Sequence, residues 1–175
     1  MKRRKQLEIR DAYESEREII QEVTRAAYEE YATVMPTPFW EVYWQHLGAT
    51  LEEKGPVERI VAVDTTGIVG SVLLYPPLAN AYSGVAANAS APEVRLLAVE
   101  PRARGQGVGA ALMDECVYRA RHMGAHLLGL HTMDVMQAAV RMYERMGFVH
   151  TPTLDFRPTD GVLVKGYCRR LDDDI

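Results

Sequence analysis

Two cysteines, Cys116 and Cys168, are all the thiol chemistry this 175-residue chain carries. They fall on different expected elements and show no metal-ligand spacing, so buried free thiols are expected rather than a disulfide framework or a metal site. No apolar run is long enough to cross a bilayer, and the basic start from Met1 to Lys5 lacks the apolar stretch of a signal peptide. The expectation is a cytoplasmic protein with no membrane partner. An excess of positive charge is lacking too. The formal net charge is −4, which argues against a general nucleic-acid binder. Internal repeats and low-complexity linkers are absent. With 47% hydrophobic and 25% charged residues the composition is ordinary for a globular chain, and the length suits one domain over residues 1–175.

What is present centres on Val94 to Leu112, VRLLAVEPRARGQGVGAAL. Val94, Leu96, Leu97, Ala98 and Val99 form a short apolar run that reads as a buried strand, and Pro101 ends it. Gly105, Gly107 and Gly109 follow at alternate positions. Beyond them Val108, Ala111, Leu112, Cys116 and Ala120 recur at helical spacing. The order is strand, glycine turn, helix. A helix start exposes unpaired N–H groups and the positive end of a dipole, and glycine lets that backbone approach a ligand. Arg102 and Arg104 add positive charge, so the stretch suits a phosphate or pyrophosphate. It is not a P-loop, because Gly109 is followed by Ala110 and Ala111 instead of Lys-Ser/Thr. The Gly-x-Gly-x-x-Gly dinucleotide fingerprint is not met either.

Read in order, Leu7–Arg10 alternates as a first strand. Ser15 is placed to cap a helix carrying Ile19, Ile20, Val23, Ala26, Ala27 and Tyr31. A second helix begins near Thr37, with Pro38 in its first turn, and ends before Gly55-Pro56. Residues 57–64 and 68–75 read as a hairpin around Thr65-Thr66-Gly67. Leu78 to Pro92 reads as a long loop. After the glycine stretch come a strand over 126–132, a helix over 135–146 capped by Asp134 and closed by Gly147, and two last strands over 148–151 and 163–171. A strand joined to the next through a helix implies parallel pairing by a right-handed crossover. The fold class expected is a mixed α/β sheet, mostly antiparallel, with helices on both faces.

The string from Val99 to Gly109, Val-Glu-Pro-Arg-Ala-Arg-Gly-Gln-Gly-Val-Gly, resembles the acetyl-CoA signature of the GNAT superfamily of N-acetyltransferases, with Arg104, Gly107 and Gly109 meeting its core. The element order is similar to that family's fold as well. The resemblance implies acetyl-CoA as co-substrate, with its pyrophosphate on the amides of Gly105, Gln106, Gly107, Val108, Gly109 and Ala110. It also implies that the backbone of Leu97, Ala98 and Val99 holds the pantetheine arm and the acyl oxygen. A second stretch, Ala139 to Phe148, resembles the family's Ala-x-x-x-Tyr-x-x-x-Gly-Phe signature. On it Tyr143 would protonate the leaving thiolate, a role its phenol suits; without the resemblance Tyr143 reads as a core aromatic. The family often has Asn three residues before that Ala, and here the position is Met136, which shifts that contact elsewhere, for example to Gln137.

Glu93 shares a strand face with Arg95, Leu97 and Val99 by alternation. A carboxylate there resembles the general base of some members, while the plainer reading is a partner for Arg95. His131 is a rival base. The family's acceptor region corresponds to the first two helices, their connection and the final hairpin. Here those helices and their connection offer Tyr28, Tyr31, Phe39, Trp40, Tyr43 and Trp44, either as packing rings or as an aromatic wall for an amine. The reaction implied is direct attack of a small-molecule or peptide amine in a ternary complex, with no acyl-enzyme. A homodimer is compatible with the sequence. A non-catalytic acyl-CoA-binding module is the alternative.

Overall fold

In a computed structural model the described residues are 7–77 and 91–172. The strands are β1 (Glu8–Asp11), β2 (Glu58–Asp64), β3 (Gly67–Tyr75), β4 (Glu93–Val99), β5 (Leu127–Thr132), β6 (Val149–His150), β7 (Phe156–Thr159) and β8 (Val162–Arg170). The helices are α1 (Arg17–Tyr28), α2 (Thr37–Glu52), α3 (Val108–His122) and α4 (Gln137–Arg145), with short 3-10 turns between. The strand order is β1-β2-β3-β4-β5-β8-β6, with β7 also on β8. The pairing is the mixed, mostly antiparallel one expected. The fourth and fifth strands run parallel, whereas β1 with β2 and β8 with β5, β6 and β7 run antiparallel.

The described residues divide into two compact units, 7–73 with 96–115 and 74–77 and 91–95 with 116–172. In the first, α1 buries Ile20, Val23, Thr24, Ala27 and Tyr28, a stripe at helical spacing. Thr24 is wholly buried, and its hydroxyl donates to the Ile20 carbonyl at 2.7 Å and lies 3.3 Å from the Ser71 hydroxyl. Burial along β3 is continuous from Ile68 to Tyr75, the pattern of a strand covered on both sides. Gly70 sets how close α3 comes to it. A Cβ there would stand 2.9 Å from Val108 Cγ1, 3.0 Å from the Ala98 carbonyl oxygen and 3.1 Å from Leu112 Cδ1.

In the second unit β8 is the organising strand. Residues 165–170 pair with β5, while Tyr167 and Cys168 also pair with His150 and Val149 of β6. The expected parallel pairing of the strands flanking α4 is therefore not found, because β8 lies between β5 and β6. The seventh strand, which carries Arg157 and Pro158, is absent from the sequence-based expectation; it forms a hairpin with β8 around Asp160-Gly161. Gly166 of β8 leaves room for the turn Pro152–Leu154, since a Cβ there would collide with Leu154.

Two capping expectations are corrected. Ser15 makes no cap: the chain first forms a 3-10 turn at Glu14–Glu16, where the Glu16 carboxylate accepts the Tyr13 N–H at 2.8 Å and pairs with Arg10 at 2.7 Å. Asp134 does not cap α4 either. It accepts from Lys165 Nζ at 2.8 Å, and the helix begins two residues later than expected, with Met136 at its N-cap. Part of the expected long loop, residues 78–90, lies outside the described residues, as does the basic start at residues 1–6.

Candidate active site

The glycine stretch folds as its residues dictate. The N–H of Glu100 donates to the Val69 carbonyl at 2.9 Å, which ends β4 beside β3. Pro101–Ala103 then makes one 3-10 turn with Ala103 buried. Gly105 and Gly107 adopt φ of 70° and 82°, the left-handed region that disfavours any side chain. A Cβ placed on either would meet nothing within 4 Å, so the loop's outer face is open. The Gly107 carbonyl accepts the Ala111 N–H at 3.0 Å and starts α3. The N–H groups of the helix's first turn have no intrahelical acceptor, and the dipole adds partial positive charge there. Such a turn is a candidate anion cradle made of backbone.

The arginines brace that cradle. Arg104 Nη1 lies 2.9 Å from Glu30 Oε2, its Nη2 donates to the Ala27 carbonyl at 2.9 Å, and its Nε donates to the Val99 carbonyl at 3.4 Å. Arg102 pairs with Glu100 and donates to the Thr66 hydroxyl. The Gln106 side-chain amide donates to the Arg102 carbonyl at 3.1 Å.

Just upstream, Leu96 has φ 48°, which costs a branched residue about 1–3 kcal/mol. The alternation that put Glu93, Arg95, Leu97 and Val99 on one face does not carry through a left-handed residue. The next carbonyl, Leu97, accepts the Tyr28 hydroxyl at 3.0 Å. Tyr28 begins a row of aromatic rings. Its centroid is 5.8 Å from Tyr31 and 6.2 Å from Tyr43, and Tyr43 is in turn 5.8 Å from Phe39 and 6.1 Å from Trp40. Trp40 meets Trp44 at 5.0 Å, and the Arg25 guanidinium lies over Trp44. Burial raises the Tyr31 phenol above its usual pKa; Glu30 adds to this and Arg104 opposes it.

In the second unit Glu93, Arg95 and His131 form a buried chain of charge, with side chains 11%, 8% and 5% exposed. Arg95 Nη2 is 3.2 Å from Glu93 Oε2, and the Arg95 guanidinium stacks 4.0 Å from the Tyr75 ring centroid. His131 Nδ1 is 2.9 Å from Glu93 Oε1, and its Nε2 is 3.0 Å from the Leu154 carbonyl oxygen. A carbonyl only accepts, so Nε2 carries a hydrogen. The short Nδ1–Oε1 contact then also needs a proton between its two atoms. Burial also pushes the nearby Cys168 thiol up; a hydrogen bond with Thr151 opposes this and the Glu93 charge adds to it.

Tyr143 is buried on α4, with Phe148 edge-on at 5.9 Å, and its carbonyl accepts the Phe148 N–H at 3.0 Å. Gly147 at φ 84° lets the chain turn out of the helix between them. Met136 is buried as well, and its sulfur accepts the Thr132 hydroxyl at 3.7 Å, while Gln137 is exposed. Among the described residues no group of three or more His, Cys, Asp or Glu is placed to hold a metal ion.

The family model described as the GNAT acetyltransferase family matches residues 17–148. The chain belongs to the GNAT family of acetyltransferases. Within that family it is 39% identical over 56 residues to a mycothiol acetyltransferase of Propionibacterium freudenreichii, a match covering 32% of this chain and 18% of that protein. It is 31% identical over 71 residues to an N-acetyltransferase of Schizosaccharomyces pombe, covering 41% and 44%. The chain thus spans less than half the length of these curated relatives. Among solved structures, a Salmonella typhimurium protein described as an acetyltransferase with its cofactor acetyl-CoA superposes with a TM-score of 0.64 at 17% identity, over 95% of each chain. At that identity the likeness concerns the fold. The GNAT signatures found in the sequence, around Gly107 and Tyr143, both fall inside the matched span.

The sequence named most of these residues without their partners. It left out the bond from Tyr28 to Leu97 and the role of His131 as the Glu93 partner. A signal for the first did exist: Tyr28 continues the stripe of Ile20, Thr24 and Ala27, and a buried phenol needs an acceptor.

Proposed function

We propose that this GNAT enzyme moves an acetyl group from acetyl-CoA to a primary amine by direct attack in a ternary complex, and that residues 1–175 act as one domain. The observation that carries the reading is the open glycine turn at the start of α3, with both positive-φ glycines facing free space. Its amides from Gly105 to Ala110 would hold the pyrophosphate, braced by Arg104, and the backbone of Leu97 to Val99 would hold the arm and the acyl oxygen. Acetyl-CoA supplies an activated thioester. Tyr143 donates its phenolic proton to the departing sulfur. Glu93 takes the amine's proton through water, with His131 as its partner.

Calorimetry with CoA and a panel of amines read by thiol release test this directly; no CoA affinity in the folded protein ends the reading. Tyr143→Phe should lower turnover about a hundredfold, the usual contribution of a positioned acid, with little change in CoA affinity. Unchanged turnover removes Tyr143 from the mechanism. A second reading, an acyl-CoA-binding module without turnover, draws on Met136, which is buried where the family often carries Asn. Tight CoA binding with no transfer to any amine of the panel selects it.

A further inference from the structure

Resting on the acetyl-transfer reading, we propose that Tyr28 is a positioning residue, joining the aromatic row of α1 and α2 to the strand segment that holds the acyl group. Three contacts run from the end of α1 and the turn after it to the stretch that follows Leu96. The Tyr28 hydroxyl donates to the Leu97 carbonyl, and Arg104 reaches both the Ala27 carbonyl and the Glu30 carboxylate. The first meets the strand one residue after the left-handed Leu96, whereas Arg104 reaches it at its last residue, through the Val99 carbonyl at 3.4 Å. A leucine at φ 48° persists where its surroundings over-determine it. The same tyrosine has its ring against Tyr31 and Tyr43. An amine lodged against the half-buried Tyr31 and Tyr43 rings acts on Leu97 through Tyr28, which packs against both and bonds the carbonyl. Attack needs the reacting atoms within a few tenths of an ångström of alignment, so a strand carbonyl fixed by a side chain of the acceptor side sets that alignment.

The test is Tyr28→Phe, which deletes one oxygen and keeps the ring. With the best amine of the panel, kcat should fall about 2- to 12-fold, the rate equivalent of one neutral hydrogen bond. The CoA Kd by calorimetry should stay within about twofold, as should the KM for acetyl-CoA, because the pyrophosphate cradle is untouched. In carbonyl-labelled protein the Leu97 carbon-13 resonance should move. Unchanged kcat overturns the proposal. So does a CoA affinity that falls in step with kcat and melting temperature, which is what a merely structural tyrosine would give. Should the variant fail to fold, the wild-type Tyr28 hydroxyl proton should exchange slowly enough with water to be seen by NMR, and a hydroxyl in fast exchange overturns the proposal. If wild type binds no CoA, the acetyl-transfer reading fails, and the carbonyl measurement still reports on the Tyr28 contact.

Discussion

The turn between β4 and α3 and the chain of Arg95, Glu93 and His131 are both charged, and they are built in opposite ways. The turn works with backbone. Its glycines sit at φ 70° and 82°, and its arginine pairs with Glu30 at side-chain exposures of 39% and 50%. The second works with side chains, three of them buried, each satisfied by the next. A backbone site tolerates loss of a side chain and fails when a glycine is replaced. A buried ionic chain fails when any member is removed, because the others keep their charges in a place that solvates them poorly.

Breaking the buried chain should have the largest effect. Glu93→Gln removes the one negative member, and urea unfolding should show a loss of about 3–5 kcal/mol; a loss below about 1 kcal/mol would mean that water reaches the cluster. Next comes Gly107→Asp, which combines a disfavoured φ with a negative charge at the proposed phosphate site. CoA affinity should drop at least a hundredfold, about 2.8 kcal/mol, while the fold survives; intact affinity would dismiss the cradle. Arg104→Ala sharpens the contrast: the exposed pair with Glu30 is worth less than about 1 kcal/mol, and even with the bonds to Ala27 and Val99 the loss in the same urea experiment should stay below that of Glu93→Gln.

The smallest effect belongs to a pair outside both regions. The Arg10 hydrogen bonds hold the Glu16 carboxyl below its ordinary 4.5, with burial opposing and the Tyr13 N–H helping. A depressed carboxylate contributes stability above its unfolded value and loses it as pH falls through the folded one. Glu16→Gln should therefore cost up to about 1 kcal/mol near neutral pH and flatten the stability curve below pH 4.5. A wild-type acid limb in the variant would count against this.

The same contrast explains what could be read in advance. The turn was legible because its chemistry is local: eleven consecutive residues specify a strand end, two positive-φ positions and a helix start. The place of Tyr143 on α4, ahead of the Gly147 turn, was legible for the same reason, through the spacing from Ala139 to Phe148. The partnership of Glu93 with His131 joins residues 38 apart and depends on Leu154 lying against the imidazole, which no periodicity announces. The strand β7 escaped notice because Arg157 and Pro158 spoil its pattern, and it exists only as the hairpin partner of β8. The late start of α4 has the same origin. Lys165, 31 residues on, competes for Asp134 and wins. Local turn chemistry travels in the sequence, whereas competition between distant partners does not.

One consequence follows from β8 lying between β5 and β6. On the ribosome, β5 and the helix bearing Tyr143 emerge well before the segment that must slot in beside them. Until Arg170 has cleared the exit tunnel, the flank of β5 that will meet β8 stays an unfilled edge, open to improper pairing. Protein lacking its last fifteen residues should accordingly accumulate in aggregates rather than as a shortened folded chain.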